Sequence, residues 1–473
     1  MRRTLVFCFF TFLFGLFSCC TGRAQAIYVS SSVGSDGNDG LTPESPLQTI
    51  NAALKKGNII YLKAGDVFYE EVQLRSQTLT RYGKGSNPLL SGLRRIEQPR
   101  WETVDGNIWR LNLLEDIFSG FSCTGVSLQN NTGCIYDYEN DRILSRKVAT
   151  YDKLVRNWDI WQTSTFDFEK VPERYNNLYL YCEEDPNKRK LELTAGGYYG
   201  ITLNDANVFN VNVKGFGMGG INLFGKCQVK QCRIDVIGGS NMTAADHFSP
   251  LGNGIDFWVS RDAYDCVIED CYITRCFDCG CSIQASRQGK ATPRNIVFQN
   301  NLIANCCQGW EDFLNNDDDV NFEDCYFRNN LVVNCGITEF GYSDTRFIYC
   351  NVLGYNQTGN RGMHITNNLF INGNYHCGTP YRGKYKSNKW EYNTFITSRG
   401  HFLLGYVKGT QDVIYIPTEK GLFATLDDAT NDAINRYREM TGDTTTRFII
   451  KSDNKVLKKG RKEVKKYLKT HKY

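Results

Sequence analysis

Residues 266–283 read CVIEDCYITRCFDCGCSI and place five cysteines in eighteen positions. Cys276 and Cys279 make a Cys-x-x-Cys, so a zinc site, a disulfide framework and a repeat all compete for the stretch. The repeat explains the most. Cys266, Ile268, Cys271, Ile273 and Cys276 form an alternating pattern with steps of five between the cysteines. The pattern returns upstream as Cys227, Val229, Cys232, Ile234 and Ile237. Downstream it becomes Ile296, Phe298, Asn301, Ile303, Cys306, then Cys325, Phe327, Asn330, Val332, Cys335, then Met363, Ile365, Asn368, Phe370, Gly373. Weaker copies run Trp390, Asn393, Phe395, Ser398 and Ala206, Val208, Val211, Val213, Phe216, making seven copies 21 to 39 residues apart.

An alternating run is a strand with one face buried. The five-residue step implies a bend between short strands. A strand-turn-strand unit that recurs with variable insertions reads as a parallel β-helix, one coil per copy. Equivalent residues of adjacent coils then stack ~4.8 Å apart. Asn301, Asn330, Asn368 and Asn393 are expected to form a ladder in which side-chain amides satisfy one another and the turn backbone. The cysteines become small apolar rungs. Disulfides between coils stay open as an alternative in an exported protein. Zinc lacks a second Cys-x-x-Cys or a close histidine pair.

The chain begins MRRTLVFCFFTFLFGLFSCCTGRAQA, with two arginines, an apolar run and an Ala-Gln-Ala end. This describes a secretory signal peptide over residues 1–26 and an exported protein, in the periplasm, at the surface or in the medium. The apolar run is short of the ~20 residues a span needs, and no later segment suits one. The 473 residues carry 55 basic and 51 acidic side chains, a near balance that argues against a nucleic-acid partner. Much of the excess sits in the tail KVLKKGRKEVKKYLKTHKY, read as a solvated helix or frayed end. Abundant Tyr and Phe between glycine turns fit a β-rich fold.

At the mature start, Gly34-Ser35-Asp36-Gly37-Asn38-Asp39-Gly40 has calcium-loop composition, but Leu47 stands where an EF-hand needs glutamate, and a structural turn is expected. Thr49–Leu54 reads as a short amphipathic helix over the first coil. Together with Tyr28-Val29-Ser30, Pro43, Pro46, Ala52-Ala53 and Pro88-Leu89-Leu90-Ser91-Gly92, these features resemble the start of secreted right-handed parallel β-helix proteins of the pectate-lyase-like superfamily. The resemblance implies an all-β, single-stranded right-handed solenoid with an N-terminal helical cap. It also implies a polysaccharide or oligosaccharide partner. It does not select a reaction, since lyases, hydrolases, esterases and binding modules share the fold. The expected organisation is cap and first coils over 27–96, an inserted β-subdomain over 97–193, coils over 194–405, and a C-terminal cap with basic tail over 406–473.

Each coil carries a further short strand after its turn: Gly220-Ile221-Asn222-Leu223-Phe224, Gly254-Ile255-Asp256-Phe257-Trp258, Gly280-Cys281-Ser282-Ile283-Gln284 and Gly309-Trp310-Glu311-Asp312-Phe313. Alternation sends Asn222, Asp256 and Ser282 outward in one column, joined by Glu311 or Asp312 depending on a one-residue register. That face is expected to be exposed. Asp256 and the later acid would lie ~9–10 Å apart in the backbone, a pair suited to an inverting glycosidase. Trp258, Trp310 and Phe224 are candidate sugar-stacking residues, with Asn222 beside them. Asp246 and His247, in a segment inserted before Asp256, are a candidate extra acid or base. Arg261 and Arg287 suit a uronate carboxylate; with Lys290 they are the parts a lyase would use. Asp317, Asp318 and Asp319 are weak calcium candidates. His364, beside the inward Met363, reads as structural, and His376 and His401 as possible extensions of the cleft. Hydrolase ranks first, lyase second, and a non-catalytic glycan-binding module third.

Overall fold

The structure, a computed structural model, describes residues 25–96, 100–113, 132–148, 150–162, 177–194, 199–239, 241–244, 247–259, 263–285, 293–313, 322–336, 340–342, 350–355, 362–373, 377–378, 388–398, 431–432, 434–435, 437–438 and 441–473. The chain is a right-handed parallel β-helix. Each coil visits three long parallel sheets of ten, ten and eight strands. In the coil of the opening stretch, Tyr264–Glu269 lies in the first sheet, Tyr272–Cys276 in the second and Cys279–Ala285 in the third.

The bends explain the five-residue step. Asp270, Asn300, Asn329 and Asn367 have φ between 53° and 57°. Asn and Asp enter this left-handed region more readily than other side-chain-bearing residues. In the pairs Asn300-Asn301, Asn329-Asn330 and Asn367-Asn368, the first asparagine makes the bend and the second points inward. The inward ladder is continuous: Asn301 Nδ2 donates to Asn330 Oδ1 (3.1 Å), Asn330 Nδ2 to Asn368 Oδ1 (3.2 Å) and Asn368 Nδ2 to Asn393 Oδ1 (3.0 Å). Each Oδ1 also receives the backbone N–H of the preceding rung, ending at Cys271 N. The thirteen cysteines whose side chains are described are all free and buried. Nine of them, Cys227, Cys232, Cys266, Cys271, Cys276, Cys281, Cys306, Cys325 and Cys335, line the solenoid core, and Cys232, Cys271 and Cys325 donate Sγ–H to carbonyls two residues back.

At the N-terminal end, helix Ile50–Leu54 places Ile50 and Ala53 in the solenoid core. The glycine-rich loop is a structural turn: the Asp36 carboxylate accepts the N–H groups of Gln48 and Thr49 and the Thr49 hydroxyl. Strands from Leu93–Arg95 to Leu191–Thr194 build two smaller sheets outside the coils, with a core of their own around Leu111, Ile135, Leu178 and Leu193. One strand of these sheets comes from elsewhere. Gly341–Tyr342, from a loop of a later coil, pairs with Arg146–Lys147. Buried Arg275 fastens this subdomain to the solenoid, binding Asp235 through two nitrogens (2.7 and 2.6 Å) and Asp141 through its backbone oxygen (2.9 Å).

Of the two expectations for the C-terminal tail, a solvated helix or a frayed end, the helix forms, but it is docked on one face rather than solvated all round. After strand Arg447–Ile450 joins the second sheet, helix Asp453–Thr470 packs on that sheet's outer face. Val456 is buried with Leu302, Val333, Ile371 and Ile396, flanked by Val464 and Tyr467. The helix is amphipathic, and its apolar stripe gives it a tertiary site that its charge does not reveal.

Candidate active site

Four stacked glycines introduce the strands of the third sheet. A Cβ on Gly220 would lie 2.4 Å from Gly254 O, and one on Gly254 2.5 Å from Gly280 O. Successive backbones pass too closely here for any side chain. This tight bend sets the register of the strands after it. Ile201, Ile221, Ile255, Cys281 and Trp310 pair in one inward column, and Thr202, Asn222, Asp256, Ser282 and Glu311 in the adjacent outward one.

The register places Glu311, rather than Asp312, in the outward column. Asp312 pairs with Ile283 in an inward-alternating position and accepts Asn388 Nδ2 at 2.6 Å. Trp310 corrects the sequence reading: it is a core residue between Phe298 and Phe327, with ring centroids 5.0 and 4.7 Å away. Its position follows from Cys281, its inward partner, and it is not placed to stack on a sugar.

The column itself is a second correction. Expected to be exposed, it is buried: Asp256 is 1% accessible, Glu311 7%, Asn222 6% and Ser282 0%. The Tyr199 hydroxyl donates to Asp256 Oδ2 (3.0 Å), and Asn253 Nδ2 reaches the same oxygen (3.3 Å) and Ser282 Oγ (3.2 Å). Among the described residues Asp256 Oδ1 is buried with no hydrogen-bond partner, as is Asn222 Oδ1. Gln284 Nε2 donates to Glu311 Oε2 (2.8 Å). Asp278, at the bend before Ser282's strand, is also buried and accepts Gln308 Nε2 at 3.4 Å.

Burial in low dielectric disfavours a charged carboxylate. It pushes Asp256 up to about 7, against the two donors that favour its ionised form. Burial likewise lifts Glu311 to about 7, opposed by Gln284 and reinforced by the charges of Asp312 and Asp256. Asp278 is driven well above the usual carboxylate range by burial, then by Glu311 and Asp256. Asp278 and Glu311 are thus linked electrostatically to neighbouring acids of the cluster. Among the described residues no group of three or more His, Cys, Asp or Glu is arranged to hold a metal ion.

Asn253, Tyr199, Asp278, Gln284, Gln308 and Asn388 escaped the sequence reading. Asn253 carried a signal: it precedes a stacked glycine, like Gln308, and sits three residues before Asp256. Asp278 lies inside the Cys-x-x-Cys, where the cysteines draw the eye. Tyr199 and Asn388 reach the cluster from 57 and 76 residues away along the chain, with no local signal. Phe224 follows Asn222 on its strand and pairs with Asn204. Trp258 pairs with Gln284 through its backbone, and its side chain lies outside the described residues. His247 lies on a hairpin strand paired with Asn241–Ala244, its side chain likewise outside. Asp246, Arg261, Arg287, Lys290, Asp317, Asp318, Asp319, His376 and His401 lie outside the described residues. His364 stacks on Tyr326 of the first sheet, 4.7 Å between centroids, away from this column.

No protein-family profile matches the chain, and no curated protein matches it. Among solved structures it is similar to the complex of XylC with xylose, at 12% identity and TM-score 0.46, over 90% of this chain and 82% of that one. It is also similar to a structure described as a glycoside hydrolase (10%, TM-score 0.45, 92% and 98% covered) and to pectate lyase Pel9A (12%, TM-score 0.33, 85% and 81% covered). At such identities the chemistry rests on the residues themselves.

Proposed function

We propose that this chain is an exported glycoside hydrolase that cleaves a polysaccharide with Asp256 and Glu311. One observation carries the reading: two buried carboxyls, both held near 7, face the same way from strands two apart in one sheet. Strand spacing separates their backbones by ~10 Å, and side-chain reach adjusts this toward the ~6.5–9.5 Å of an inverting pair.

The environments suggest the roles. Asp256 has two donors on Oδ2, which support its ionised form and leave Oδ1 as the reacting atom. Glu311 faces the charges of Asp312 and Asp256, which support its protonated form. Glu311 then gives its proton to the glycosidic oxygen as the bond to the anomeric carbon breaks. Asp256 takes a proton from the water whose oxygen attacks that carbon from the opposite face. The anomeric configuration inverts, and solvent exchange restores both groups.

The test is incubation of the mature protein with neutral and uronic-acid polysaccharides, with and without a calcium chelator. New reducing ends without the ultraviolet absorbance of unsaturated uronates are expected, over a narrow pH range around neutrality because both groups titrate near 7. Absorbance rising with cleavage would replace this reading with a lyase. Retention on a glycan without cleavage would replace it with a binding module.

A further inference from the structure

The C-terminal helix carries charge that neither the fold nor the proposed chemistry uses. Residues 453–473 contain nine Lys or Arg against two Asp or Glu, a net +7, so the other 452 residues carry 46 against 49, a net −3. Lys455, Lys458, Arg461, Lys462, Lys465, Lys466 and Lys469 are all exposed. At 100° per residue they fall within about 140° of the helix circumference, along about 21 Å of its length. Among the described residues the helix makes one ion pair, Lys459 with Glu463 at 2.6 Å, which lies outside that arc and is partly buried.

The arrangement acts against helix stability. Like charges four residues apart repel, and Lys455–Lys459, Lys458–Lys462, Arg461–Lys465, Lys462–Lys466 and Lys465–Lys469 are such pairs. The helix is held by its other face. A Cβ on Gly460 would lie 3.0 Å from Val333 Cγ1, and the Tyr467 hydroxyl donates to the carbonyls of Asn300 (2.9 Å) and Cys271 (3.2 Å). Docking therefore consumes the apolar stripe, and Leu468 is the one large apolar side chain the helix exposes. A bilayer would find no apolar face to take up. The rings at this end belong to the docked face: Tyr467 stacks on His471 at 4.0 Å, Tyr473 lies 6.5 Å from His471, and the Tyr473 hydroxyl donates to Asp270 O (2.8 Å). A docked line of exposed cations about 21 Å long matches a linear carboxylated polymer whose charges pair with it along its length.

We propose that this helix is a second glycan site, an anchoring surface for an acidic polysaccharide on the second sheet, apart from the carboxyl cluster on the third. The choice of a glycan rests on the proposed function; the charge row does not. Anchoring keeps the catalytic face at high effective concentration of its polymer.

The test is retention of the full chain in native gels containing polygalacturonate, polyglutamate of matched charge, or neutral dextran, with co-sedimentation on phosphatidylglycerol vesicles alongside. Polygalacturonate should retain the protein most and lose it as salt rises. The combined variant K458E/K462E/K465E/K469E should bind about tenfold or more weakly, with its unfolding midpoint not lowered. If that variant misfolds, the same positions changed to Gln should still weaken binding. Equal retention of wild type and variant, no preference over dextran or polyglutamate, or vesicle binding without polygalacturonate binding would each overturn the proposal. E311Q should be retained like the wild type while losing cleavage, and a wild type that is retained but does not cleave counts only against the catalytic reading. Lost retention with intact cleavage counts only against the anchor.

Discussion

The inward asparagine ladder and the outward column of the third sheet are built by the same stacking, yet they end in opposite electrostatic states. In the ladder each carboxamide both gives and receives, and the interior gains order from polar groups it could not otherwise tolerate. In the column the rungs are Asn222, Asp256, Ser282 and Glu311, and donors are too few: two oxygens have no partner among the described residues and two acids sit near 7. Stacking at strand spacing is neutral in itself. An amide, with a donor and an acceptor, turns it into a staple, and a carboxyl, acceptor-only when ionised, turns it into stored electrostatic cost.

The widest separation between the two regions should appear in activity. Asp256→Asn and Glu311→Gln should each lower cleavage by about 10²–10⁴-fold without unfolding the protein, as initial rates on the best substrate of the panel would show. Changing a rung of the ladder should do the reverse. Asn330→Ala strips the acceptor from Asn301's backbone and side-chain N–H groups, and should cost roughly 3 kcal/mol or more, read by denaturant unfolding. Loss of activity without loss of stability there would break the contrast.

The third test turns on a sign. Asp256 stands at about 7 folded against an ordinary 3.8, so between those values the folded state binds more protons than the unfolded one. Its contribution is most favourable below about pH 4, weakens as pH rises to 7 and stays weakened above, opposite to a salt-bridged carboxylate. Asp256→Asn should therefore raise stability at pH 8, on the order of 3 kcal/mol, and flatten the pH dependence. A destabilised Asp256→Asn at pH 8 would make Asp256 a structural rung. The smallest effect is expected at the bend between the regions. Gly280→Ala puts a Cβ 2.4 Å from Ile303 Cγ2, and should cost about 1–3 kcal/mol while disturbing the register of Ser282 and Glu311.

The solenoid was legible because stacking repeats its demands. A residue that suits the rung at Cys271 suits the equivalent rungs one and two coils away, so inward columns, bends and asparagines recur in sequence as they do in space. The place of Asp256 in its outward column was legible for the same reason. Trp310 misled because its size and neighbours suggested a surface platform, whereas strand pairing with Cys281 turns it inward. Strand Gly341–Tyr342 had no local signal, since its partner Arg146–Lys147 belongs to another part of the chain. The basic tail hid its apolar stripe of Val456, Val464 and Tyr467 beneath its lysines.

By itself the sequence determined the coil, its rungs and the column in which Asp256 stands, because alternation and step are local properties of strands. Only the tertiary structure decided that the column is buried, that Tyr199 and Asn253 hold one oxygen of Asp256, and that Asp278 and Asp312 crowd Glu311. Desolvation depends on what packs over a side chain, and here the packing comes from segments far away along the chain. The acidity of these carboxyls is therefore a property of the assembled fold.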